Sequence, residues 1–167
     1  MMTLSSPSFG HGYMIPRNHT ADGLNRAPPL AWSDVPARAK SLALIVEDPD
    51  APDPAAPQRI FTHWIIYNLQ SSAGGLPLGA AQADLPAGAR MGRNDFGQTA
   101  YSGPAPPIGR HRYFFRLFAL DTVLPTNLGP ADRAKLTKAM QGHIIEEAEL
   151  MAMYERGPQE LHPAPPL

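Results

Sequence analysis

The chain has 167 residues, a formal net charge of −1 and no cysteine. One domain of ordinary size fits that length, disulfide and thiolate chemistry are excluded, and near-neutrality argues against a nucleic-acid partner, because phosphate neutralisation needs a basic excess. Proline is the outlier: 20 residues, more than twice the usual share of about 5%. Proline removes a backbone donor and fixes φ, so the chain should hold few long helices and many ordered loops. Apolar runs between the prolines argue against a disordered linker. Met1–Gly12 has no basic flank and no apolar run of the signal-peptide kind. No apolar stretch approaches the roughly 18 residues of a membrane helix. A cytoplasmic protein is expected.

In chain order, residues 1–40 are rich in Gly, Pro, Asn and Ser and predict extended segments and turns. Leu42–Val46 is an unbroken apolar run, the pattern of a buried strand, and Glu47-Asp48-Pro49-Asp50 should turn it. Ile60–Leu69 is a second strand, rich in β-branched and aromatic residues. Residues 70–110 hold many turn formers. His111–Leu120 alternates with period two, with His111, Tyr113, Phe115, Leu117 and Ala119 on one face. Pro130 is a plausible first helical residue, with a helix over Ala131–Gln141. A second helix is expected over His143–Tyr154, with Ile144, Ile145, Ala148, Met151 and Ala152 on one side and Glu146, Glu147 and Glu149 solvated. Gly157-Pro158 should stop it, leaving a proline-rich tail over 158–167 after a single domain over 1–157. Strands first and helices last suggest an antiparallel sheet system with helices at one end or face.

Three segments can carry chemistry. Asp48-Pro49-Asp50-Ala51-Pro52 puts two carboxylates in a proline-stiffened segment, although an Asp in a turn often serves only its own backbone. In Phe61-Thr62-His63-Trp64, alternation puts His63 on a face with Phe61, Ile65 and Tyr67, where a histidine is more often a satisfied core residue than a ligand group. Tyr101-Ser102-Gly103-Pro104-Ala105-Pro106-Pro107-Ile108-Gly109 leads into His111-Arg112-Tyr113. There a proline-glycine loop can offer backbone N–H groups beside a His and a Tyr that point the same way, a suitable anion cradle. His11, His19 and His162 carry no visible constellation. Ser102 precedes Gly103, but no Gly-x-Ser-x-Gly elbow exists.

Asp-Pro-Asp-Ala-Pro, then His-Trp, then Gly-Pro-x-Pro-Pro-x-Gly-x-His-Arg-Tyr, in that order, resembles the phosphatidylethanolamine-binding proteins, in particular their bacterial Raf-kinase-inhibitor-like branch. Pro28-Pro29-Leu30-Ala31-Trp32, Asn94-Asp95-Phe96-Gly97 and Gly142-His143 with Ala148-Glu149-Leu150 and Tyr154 extend the resemblance over most of the chain. It implies a mainly β fold, an antiparallel β-sandwich with Greek-key connections and short C-terminal helices. It also implies a ligand pocket of Asp48, His63, His111 and Tyr113, with a backbone N–H from Gly103 and walls from Ala51, Pro52 and Pro104. Such pockets hold phosphate, acetate or phosphoryl head groups. The resemblance carries no cofactor and no catalytic residue, a regulatory kinase-inhibitor-like role as a possibility, and a homodimer. Ala105 and Ala100 stand where bacterial relatives often have Cys and Gly, which touches only loop shape. Asp48 is a puzzle in an anion site. It can orient a histidine and favour its protonated form, or accept from a protonated phosphate oxygen or a ligand ammonium. The alternative is a metal-dependent phosphoesterase or other small hydrolase, with the two Asp and two His as metal ligands.

Overall fold

The computed structural model describes residues 1–156. The tail expected over 158–167, with His162, lies outside the described residues.

Two antiparallel sheets face each other. The smaller has the order β1-β2-β5, from Thr3–Ser5, Leu30–Ser33 and Gly75–Leu76. The larger is built on β3 (Ser41–Ala51) and β4 (Arg59–Leu69), with the short β6 (Arg90–Met91) and then β7 (His111–Leu120) and β8 (Ile144–Tyr154), in the order β6-β4-β3-β7-β8. Alternation along each long strand divides the apolar residues between two cores. Leu44, Val46, Trp64, Ile66, Phe115 and Leu117 meet Leu4, Leu30, Trp32 and Leu76 of the small sheet. Ala43, Ile45, Ile65, Tyr67, Phe118 and Leu120 meet Leu136 and Met140 of α1 (Arg133–Met140) on the opposite face. The fold is therefore mainly β, with few helices, as the strand-rich sequence requires.

The strand expected over 111–120 has those limits, and the one expected from Ile60 begins a residue earlier. The buried run at Leu42–Val46 does not turn at Glu47. Its strand continues through Asp48, Pro49 and Asp50 to Ala51. Pro49 sits in a β3 whose register is already shifted between Asp48 and Ala51, and an irregular stretch tolerates a missing donor. Pro130 precedes the first helix instead of opening it. Asp132 is its N-cap, its carboxylate accepting from Lys135 N at 2.8 Å.

The second expected helix is a correction: Ile144–Tyr154 is a strand paired residue for residue with β7, from His111 opposite Tyr154 to Ala119 opposite Glu146. Ala148, Leu150, Ala152 and Tyr154 are buried and Glu147 and Glu149 exposed, a period of two. The same apolar residues also lie near a 3.6-residue repeat, and Ala, Met and Glu favour helix intrinsically. A long open edge on β7 outweighs that preference. Gly142, at φ +80°, is the joint where helix gives way to strand.

Candidate functional site

Three strands of the large sheet and two loops converge at one end. Asp48 comes from β3, His63 from β4, and His111 and Tyr113 from β7, all four nearly buried. They floor a cleft of about 310 Å³. Ala51, Pro52, Ala105, Pro106 and Pro107 form walls, Phe61 and Phe96 an aromatic side, and Gln58 and Arg59 the remaining boundary.

Simple alternation would turn His63 away from this cleft, with Ile65 and Tyr67 on the helix side. A β-bulge prevents it. Val46 pairs with Trp64 and the next residue, Glu47, with Thr62, so His63 is the extra residue on β4. A bulge re-aims a side chain. It lets His63 share the cleft with Phe61 while Ile65 and Tyr67 remain in the other core. The His63 ring lies edge-on to Tyr113, with centroids 5.3 Å apart, and His111 stacks beyond Tyr113 at 6.3 Å.

The hydrogen bonds settle what each group offers. The Ser102 carbonyl can only accept, so His63 Nδ1 donates to it, at 2.6 Å. Nε2, on the other edge of the ring, has no protein partner among the described residues. Burial lowers the His63 pKa, opposed by the Ser102 hydrogen bond and by the charges of Asp48 and Asp95. His111 is committed on both sides. Nδ1 meets Asp48 Oδ2 at 2.5 Å, and Nε2 donates to the Ile108 carbonyl at 2.8 Å. The other Asp48 oxygen accepts from Asp50 N at 2.7 Å. Of the two roles open to Asp48, the geometry supports orienting a histidine: Asp48 and His111 form a closed pair that fixes the floor. His111 therefore has no ring N–H left over for a ligand.

The Tyr113 hydroxyl is the opposite case. Its residue lines the cleft, and the hydroxyl is buried with no hydrogen-bond partner among the described residues. Burial first, and then the Asp48 carboxylate, raise its pKa, so it remains a neutral donor.

Two expectations change. The Gly103 N–H does not stand free: it donates to Asn25 Oδ1 at 2.7 Å. Gly103 is needed there for closeness, since a Cβ would come within 2.2 Å of the His19 carbonyl oxygen. Pro104 is not among the cleft residues; its carbonyl accepts from Ala21 N at 2.9 Å, and the next three residues form the wall. Ala51 and Pro52 are in the lining as expected.

Sequence reasoning missed the rim. Arg59 begins β4 with its side chain about half exposed, 3.2 Å from Asp95 and stacked over Phe61 at 4.9 Å. Asp95 accepts from Thr62 N, and Asn94 ties the same loop to the His63 and Ala100 carbonyls. The Asn94-Asp95-Phe96-Gly97 motif thus holds Phe96 against His63, with centroids 5.7 Å apart. Asp50, the second carboxylate of the first motif, faces away and grips Arg112 through both oxygens, at 2.9 and 3.0 Å. Among the described residues no group of three or more His, Asp or Glu side chains is placed to hold a metal ion.

A mainly β protein of two antiparallel sheets, with Asp48, His63, His111 and Tyr113 gathered in a cleft at one end of the larger, is the class that the fold and the site define. Residues 5–155 match the phosphatidylethanolamine-binding protein family, and the chain belongs to it. It is 46% identical to a UPF0098 protein of Methanothermobacter thermautotrophicus, over 93% of this chain and 100% of that one. A UPF0098 protein of Chlamydia pneumoniae is 47% identical over 93% and 99%. Among solved structures, a putative phosphatidylethanolamine-binding protein homologue, CT736 of Chlamydia trachomatis, superposes with a TM-score of 0.83 at 43% identity, covering 93% of this chain and 97% of that one. E. coli YbcL, described as a new member of the mammalian family, gives 0.83 at 32% identity, over 93% and 98%.

Proposed function

We propose that the cleft binds a small anionic ligand of the phosphoryl-ester type carrying an apolar or aromatic substituent. The carrying observation is the Tyr113 hydroxyl, a buried donor without an acceptor among the described residues, on a side chain that lines the cleft. A polar group left in that condition costs free energy unless something supplies its partner. His63 Nε2 is the second open polar atom; the Ser102 carbonyl holds the His63 ring, and His111, fixed by Asp48, stacks against Tyr113. Arg59 supplies the mobile positive charge. Its pairing with Asp95 is exposed, and exchanging such a pair for a ligand costs little, since surface ion pairs are worth about 0–1 kcal/mol. The aromatic and proline walls suit the substituent rather than the charge.

The family name points the same way, to a phosphoryl head group. The test is calorimetric titration with phenyl phosphate and with phosphoethanolamine at pH 5.5. Saturable one-to-one binding, weakened about tenfold to a hundredfold by Tyr113→Phe, is expected. Absence of binding for both compounds at millimolar concentration rejects the proposal.

A further inference from the structure

We infer that this cleft selects a protonated oxyacid: a ligand group with one X–OH to donate and one oxygen to accept, such as a hydrogen-phosphate monoester, in preference to a fully ionised oxyanion. The inference rests on the anion-binding reading above and narrows its ligand class.

An anion site ordinarily offers donors only. Here the floor has two unspent polar atoms of opposite kind. Tyr113 Oη is a donor, buried and without a partner among the described residues. His63 has its ring proton on Nδ1, because the Ser102 carbonyl at 2.6 Å can only accept, so the neutral ring presents Nε2 as an acceptor. His111 could have supplied a further N–H, but Asp48 and the Ile108 carbonyl occupy both its nitrogens. Gly103 could have supplied a backbone N–H, but Asn25 holds it. At the floor, with those donors withdrawn, one donor and one acceptor remain, on rings 5.3 Å apart, while Arg59 at the rim meets the ligand's other oxygens. A group with a hydroxyl and an oxo oxygen on one central atom complements that pair. A fully ionised group would set a lone pair against Nε2.

The surrounding charges agree. Facing His63 are Asp48 from β3, Asp95 from the 94–97 loop, Tyr113 and His111 from β7, and Arg59 from its own strand. Asp95 sits beside Arg59 and Asp48 beside His111, so the cleft has little net positive charge for a dianion even when Arg59 turns to the ligand. Burial also opposes charging His63, which would otherwise convert its acceptor into a donor.

The experiment compares two ligands of similar shape on the unaltered protein: phenyl phosphate and benzenesulfonate, titrated calorimetrically from pH 5 to pH 8. At pH 5 both are monoanions, but only the phosphate retains a hydroxyl, which it loses near pH 6. Phenyl phosphate should bind at pH 5, with affinity falling about tenfold per pH unit once that ionisation is passed. Benzenesulfonate should bind at least about tenfold more weakly at pH 5, the factor expected for one lost hydrogen bond in which a partner is charged. Equal binding of the two, or phenyl phosphate affinity that is flat with pH, would overturn the inference and leave the anion-binding proposal standing. A sulfonate that matches the phosphate and gains in parallel at low pH would assign the proton to His63, which also overturns it. Failure of both ligands at every pH would reject the proposal itself.

Discussion

Tyr113→Phe should move stability and binding in opposite directions. The substitution removes one oxygen and leaves the ring, which touches His63 and His111 and is otherwise core. That oxygen is buried with no partner among the described residues. A hydroxyl in this condition costs about 1–3 kcal/mol, and its removal should recover about 1 kcal/mol after allowance for the small void left behind. For a domain of this size that is about 2–4 °C in Tm. Binding should respond the other way. A hydroxyl donating to a charged oxyacid contributes about 1.5–3 kcal/mol, so phenyl phosphate affinity should fall about tenfold to a hundredfold. Thermal unfolding followed by circular dichroism, together with calorimetric titration, reads both numbers on one preparation. A strained polar group retained for function shows this combination, since sites violate packing rules at a cost to stability. If the phenylalanine variant is less stable than the parent, the hydroxyl has a structural partner and the account of the floor is mistaken. If it is more stable and binds phenyl phosphate unchanged, Tyr113 does not touch the ligand.

The other expectations are simpler. Gly103→Ala sets a Cβ against the His19 carbonyl and the Asn25 side chain, and urea unfolding should show a loss of about 1–3 kcal/mol from the forced shift; an unchanged midpoint would mean that the loop gives way freely. Arg59→Gln should weaken phenyl phosphate severalfold with a flatter salt dependence and leave Tm within about 1–2 °C, because the Asp95 pair is exposed; undiminished affinity removes Arg59 from the site. The Arg112 guanidinium, more than any other group, holds the Asp50 carboxyl below its ordinary value. A depressed carboxyl contributes stability that is complete above its unfolded value, near pH 4, and is lost as pH falls through the folded one. The acid limb of a stability–pH curve should therefore be shallower in Asp50→Asn below about pH 4, and parallel curves would refute the coupling. His63 acts in the same direction at higher pH. Burial lowers its pKa, so the unfolded chain binds the extra proton first and stability should decline as pH falls below about 6.5. His63→Gln should flatten that part of the curve.

The sequence carried the large sheet well wherever one periodicity stood alone. The limits of β7 follow from ten alternating residues, and the fully apolar start of β3 could only be an interior strand. It misled at β8, where Ile144, Ala148, Met151 and Ala152 satisfy a helical repeat and Ala148, Leu150, Ala152 and Tyr154 an extended one. Only the pairing partner decides between them, and partners from 24 (Leu120 with Ile144) to 43 (His111 with Tyr154) residues away leave no local signal. The motifs named the four floor residues, but not what each was free to do. Whether an imidazole donates, accepts or is already spent depends on which carbonyl faces it, and Ser102 and Ile108 contribute through backbone atoms that their identities do not announce.

The bulge at His63 is the same lesson at the level of the site. Strict alternation along β4 would send His63 to the helix side with Ile65 and Tyr67, and would separate it from His111 and Tyr113. One extra residue against β3 brings the rings together. A bulge is set by the register of the neighbouring strand. The convergence of His63 with His111 and Tyr113 is therefore a property of the paired sheet, not of the Thr62-His63-Trp64 segment. It follows that the donor–acceptor pair at the floor depends on two registers at once: β4 against β3, which aims Nε2, and β7 against β3, which places Tyr113. On the proposed reading, a site held by two registers of a buried sheet is met by the ligand's protonation state rather than by movement of the protein.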